Sequence, residues 1–122
     1  MQLPHYYRRG ILSPRNKEAQ LQLNAWFIQH PILVDIISLN DDAAFYSIWE
    51  LGVFRKINSL CGCIIDDYEE EVIEPEKLNS IISLIDNEFQ NLATSPVKQF
   101  LNAFRELLIG ARDRTMPVYF IL

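Results

Sequence analysis

The chain has 122 residues, 49% hydrophobic and 22% charged, and sixteen acids against eleven bases give a net charge of −5. That apolar content excludes a disordered tail, and no apolar run reaches the ~18 residues of a membrane span. The acidic balance excludes a general nucleic-acid binder, which needs a positive footprint, and the length fits one domain, 1–122.

The opening MQLPHYYRRG lacks the charged-then-apolar pattern of a signal peptide, so a cytoplasmic protein is expected. Ser13-Pro14 opens the first predicted helix, serine as a cap and proline at a position whose N–H has no partner. Ala19, Leu23, Trp26 and Phe27 follow at helical spacing, and His30-Pro31 ends the run. The stretch ILVDIISL (32–39) has the β-branched content of a strand, but its place between helices favours a short buried helix.

Asn40-Asp41-Asp42 caps a third helix carrying Ala44, Phe45, Ile48 and Trp49, which Gly52 breaks or bends. Val53, Phe54, Ile57 and Leu60 continue as a second apolar stripe. CGCIIDDYEEEVI (61–73) reads as a turn followed by an extended or irregular stretch, anchored by Ile64 and Ile65. Pro75 then starts a helix with Leu78, Ile81, Ile82, Ile85, Phe89 and Leu92 on one face. Ser95-Pro96 starts another, with Val97, Phe100, Leu101, Phe104, Leu107 and Leu108, and the short connection 93–95 predicts an antiparallel hairpin. The apolar 117–122 is a short strand or a packed extended end. The elements compose a mainly α, single-domain helical bundle, with room for one short extended segment near 63–66 or 117–122.

Charge is unevenly placed along this frame. Residues 1–17 hold four bases (Arg8, Arg9, Arg15, Lys17) and no acid, while residues 66–76 hold seven acids and no base. Carboxylates at that density repel one another, so the segment must face water or a positive partner. It can steer a cationic protein to the surface, and Tyr68 within it combines a large rigid ring with a polar tip suited to a binding anchor. A half-buried ring that merely anchors the loop is the structural alternative for Tyr68.

Catalytic and metal motifs are missing from the sequence. Cys61 and Cys63 flank a single glycine, too close for a zinc ligand pair and strained as a disulfide, so they read as a tight turn against the core. His30 suits a helix end, His5 lies in the basic N-terminal arm, and neither belongs to a nucleophile or metal motif. The acidic run lacks the alternation and the glycine of a calcium loop. No catalytic residue, metal ligand or cofactor is assigned.

The segments Trp49-Glu50-Leu51-Gly52-Val53-Phe54 and Cys61 to Ile73, followed by the Pro75-led helix, resemble small immunity proteins of bacterial polymorphic-toxin and contact-dependent growth inhibition systems. The resemblance covers about residues 49–85. It implies a non-enzymatic cytoplasmic inhibitor that binds a cognate toxin domain, a cationic nuclease, and blocks its active site. The expected partner-binding residues are Asp66, Asp67, Tyr68, Glu69, Glu70, Glu71 and Glu74, with no direct nucleic-acid contact, no membrane, and a monomer favoured. The alternative is a structural or regulatory helical interaction module that uses 117–122 or the N-terminal arm.

Overall fold

The computed structural model describes residues 9–24, 33–66, 70–91 and 95–122, and its first element is a strand. β1 (Gly10–Pro14) is buried along its whole length, and α1 (Lys17–Asn24) follows after a bend. β2 (Val34–Ser38) leads to α2 (Asp42–Leu51) and α3 (Val53–Cys61). β3 (Glu70–Ile73) precedes a 3-10 turn at Pro75–Lys77, which runs into α4 (Leu78–Leu84) and a π turn at Ile85–Phe89. The long α5 (Ser95–Arg114) ends before β4 (Val118–Ile121).

The four strands form one antiparallel sheet in the order β2-β1-β4-β3. The expected helical bundle is therefore corrected to an α+β fold. Of the two places left for an extended segment, 118–121 is a strand at the centre of the sheet, whereas 63–66 is irregular.

Two sequence signals were local and lost to long-range pairing. Ser13-Pro14 ends β1 rather than opening a helix: Ser13 is fully buried and its hydroxyl donates to the Pro117 carbonyl at 3.2 Å, while Pro14 pairs with Val34. The true cap of α1 is Asn16, whose side-chain oxygen accepts from the Ala19 N–H at 2.8 Å. The 32–39 stretch, read as a helix, supplies β2, whose β-branched Val34, Ile36 and Ile37 lie in register with β1. Trp26, Phe27, His30, Pro31 and the predicted 93–95 connection fall wholly or partly outside the described residues.

Strand pleating separates two apolar layers. Ile11, Ile73, Val118 and Phe120 face α2–α5 in the main core, and Leu12, Val34, Tyr119 and Ile121 face α1. Phe120 joins strand to helices: its ring lies edge-on to Phe54 of α3 at 6.1 Å and to Phe104 of α5 at 6.0 Å.

The predicted capping features of α2 are present. Asp41 accepts from the Ala44 N–H at 3.1 Å, and Gly52, at φ +92°, turns the chain from α2 into α3. The second stripe departs from expectation at its end, where Cys61 is buried and Leu60 faces solvent. The Pro75-led helix is also less regular than predicted. It opens as a 3-10 turn and closes as a π turn, in which the Gln90 N–H reaches the Ile85 carbonyl at 3.1 Å.

A candidate acidic binding surface

Three side chains fix the turn that leads from α3 to the acidic segment. Asn58 accepts from the Ile65 N–H at 2.6 Å and donates to the Ile65 carbonyl at 2.9 Å, satisfying both main-chain groups of one residue. The Lys77 ammonium donates to the Cys61 carbonyl at 2.8 Å, placing a cation at the negative end of α3. Glu71 accepts from the Ile64 N–H at 2.8 Å and from the Val72 N–H at 3.0 Å. Within the fixed turn the two isoleucines part: Ile65 is buried in the core, and Ile64 stands 69% exposed.

Strand alternation then divides the acids. Glu71 lies opposite Phe120 on the helix-facing side, where its half-buried carboxylate folds back onto the turn. Glu70 lies opposite Ile121 and Val72 opposite Tyr119, on the other side of the sheet. Glu74 continues that alternation, and its charge reaches the Tyr119 hydroxyl. Burial first, and the Glu74 carboxylate second, push the Tyr119 pKa up. Tyr119 also donates to the Asn24 side-chain oxygen.

Asp66, Glu70, Glu74 and Glu76 are all exposed, and β3 is an edge strand. Asp67, Tyr68 and Glu69 lie outside the described residues. The structure thus brings Asp66, Glu70, Glu71 and Glu74 onto one sheet edge and its approach, with Glu71 turned inward.

Several bases are committed elsewhere. Asp35 takes Arg15 at 2.7 Å and Arg114 at 2.9 Å, and Arg105 grips Asp86 with two bonds of 2.7 and 3.0 Å. Lys56 pairs with Glu88, and Arg112 with Asp113. Arg9, read from sequence as part of a basic arm, is buried against Phe45 and paired with Asp42. Each of these pairs uses an acid outside 66–76.

The sequence does not single out Asn58 or Lys77, and Ile64, expected to anchor the turn together with Ile65, is instead exposed. The first two act on main-chain carbonyls and amides, which residue type alone does not reveal.

The two cysteines are free thiols. Burial, then the neighbouring Cys61 and Glu71, push the Cys63 thiol up to about 11, and burial raises Cys61 as well. Both are neutral at physiological pH and poorly suited to nucleophilic attack. Among the described residues, no group of three His, Cys, Asp or Glu is placed to hold a metal ion, and no helix is long and apolar enough to cross a membrane.

No protein-family description matches the chain, and no curated protein does. Among solved structures it is similar to the Neisseria DNA mimic protein DMP12, with a TM-score of 0.59 and 10% sequence identity. That likeness covers 93% of this chain and 99% of the other, and at such identity it is a likeness of fold.

Proposed function

We propose that the chain is a non-enzymatic protein-binding inhibitor that offers its β3 edge and the preceding turn to the cationic, nucleic-acid-binding face of another protein. The observation that carries this reading is Ile64. It stands exposed in a turn held by Asn58, Glu71 and Lys77, close in sequence to the exposed carboxylates of Asp66 and Glu70. An apolar contact surrounded by charge has the anatomy of a protein interface. Fixing it before encounter lowers the ordering cost of binding. The acids supply attraction toward a surface built for phosphates. A fold shared with a protein named as a DNA mimic supports the same reading.

In its finer form the partner is the nuclease domain of a bacterial toxin and the chain is its immunity protein. The resemblance of 49–85 to such proteins supports this form. Asp66, Asp67, Glu69, Glu70 and Glu74 act as charge contacts, Tyr68 as an anchor, and Glu71 as both a charge and a brace.

Competition tests the general reading. A partner bound by the wild-type chain is released by duplex DNA, and Asp66→Lys/Glu70→Lys/Glu74→Lys weakens its binding by about tenfold or more. Binding that survives both treatments would overturn it. The finer reading predicts that the chain rescues cells expressing the nuclease domain encoded beside it, and that the triple variant does not. Equal rescue by the two would sink it.

A further inference from the structure

A second feature lies apart from the acidic edge and carries the opposite charge. Leu51, Gly52, Arg55, Lys56, Ser59, Glu88 and Phe89 line a cleft of about 540 Å³ between α3 and the π turn. That volume lies within the range of about 300–1,000 Å³ typical of small-molecule sites.

The cleft is cationic in an acidic protein. Arg55 and Lys56 face one acid, Glu88, whose carboxylate holds Lys56 at 3.3 Å. Charge-assisted N–H to O bonds are normally about 2.7–2.9 Å, so this pair is loosely made. Arg55 has no ion pair and no hydrogen bond among the described residues, although Lys56 and Glu88 line the same cleft. Its guanidinium folds back over Gly52: a β-carbon there would lie 3.6 Å from Nη2. The absence of a side chain at Gly52 lets the guanidinium lie close to the main chain at the cleft wall, and the φ of +92° resists replacement by any L side chain. Ser59 adds a hydroxyl, and Leu51 adds an apolar surface. The opposite wall is the π turn, a local distortion that recurs at functional sites.

We propose that this cleft binds the phosphate monoester of a small molecule. Arg55 takes two phosphate oxygens through its planar fork, and Lys56 adds a point charge. Ser59 donates from its hydroxyl, and Leu51 receives the organic part of the ester. Glu88 opposes the ligand by occupying Lys56, so it tunes affinity downward.

Amide chemical-shift titration of the full chain tests this with inorganic phosphate and phenyl phosphate, at constant ionic strength maintained with chloride. Saturable shifts confined to Gly52–Ser59 and the π turn are expected, with phenyl phosphate binding about threefold tighter than inorganic phosphate. Arg55→Ala weakens binding by about tenfold, and Glu88→Gln strengthens it by about threefold. All four residues lining the polar wall are exposed, so the variants retain the wild-type amide dispersion. Non-saturable shifts spread over the surface lysines, or equal affinity of wild type and Arg55→Ala, would overturn the site. Equal affinity for the two phosphates would overturn its assignment to an ester.

Discussion

The guanidinium of Arg9 lies 4.3 Å from the centroid of the Phe45 ring and 5.7 Å from that of Tyr46. Its side chain is buried, its charge is met by Asp42, and its main chain is tied to Asn40 and Leu39. The cation therefore joins the start of β1 to the first turn of α2 through both ring face and carboxylate. Desolvation strengthens such a contact. Arg9→Lys keeps the charge but not the flat stacking surface, and should cost about 1 kcal/mol in denaturant unfolding. Arg9→Ala should cost about 2 kcal/mol. Unchanged unfolding midpoints in both variants would show the contact to be energetically idle.

Asn58→Ala removes the partners of two main-chain groups at Ile65, whose side chain is in the core. An unsatisfied buried group costs about 1–3 kcal/mol. Stability should fall by about that amount, and amide exchange at Ile64 and Ile65 should accelerate more than exchange in α5. A variant with exchange accelerated equally everywhere would argue against a local clamp.

Thr115 is a β-branched residue at φ +56°, just beyond α5. Its N–H bonds to the Arg112 carbonyl at 3.0 Å, and the Met116 N–H bonds to the Ala111 carbonyl at 2.8 Å, the two closing bonds of a Schellman turn. Only the residue type is unfavourable there. Thr115→Gly should raise stability by about 0.5–1 kcal/mol, the relief of left-handed strain less the extra freedom glycine has when unfolded. Thermal unfolding checks the sign.

The Arg105 guanidinium, bonded twice to Asp86, holds that carboxyl below its ordinary range, with a smaller opposing effect from burial. A carboxyl whose pKa is lowered by folding contributes stability that is present above its unfolded value and lost as pH falls through the folded one. Wild type should therefore exceed Asp86→Asn in stability at neutral pH. The difference should shrink below about pH 4, where the unfolded carboxyl takes up its proton. A gap that stayed constant down to the acid transition would remove Asp86 from the pH response.

Tyr119 responds at the other end of the scale. Burial and the Glu74 charge raise its pKa, so the folded state keeps a proton that the unfolded chain releases near pH 10. Stability should decline above that pH in wild type and decline less in Tyr119→Phe. Glu74→Gln should move the phenol back toward its ordinary value, as read by NMR titration of the ring.

The parts of the molecule legible in the sequence were those decided within one helical turn. Asp41 capping α2, Gly52 separating α2 from α3, and the buried stripe of α5 all follow from local spacing. β1 and β2 were misread because Ser13-Pro14 has the same local chemistry at a strand end as at a helix start. What decides it is a carbonyl 104 residues away. The concentration of acids at 66–76 was visible directly, but its division by strand pleating was not. Glu71 became a brace and Glu70 an outward charge only once β3 paired with β4. Arg9 shows the same limit in reverse: in sequence it is one of four bases among residues 1–17, and in the fold it is packed against aromatic rings.

Among the described residues, β4 is the sole ladder partner of β3, and it also pairs with β1. The acidic edge can therefore be assembled only after residues 118–121 have left the ribosome and docked. Closing so long a loop is entropically costly and slows folding. A nascent chain that has already made every acid from 66 to 76 still lacks β4, the strand with which β3 pairs. Any recognition proposed for this edge therefore waits on β4, the strand whose pairing sets which way Glu70 and Glu71 face.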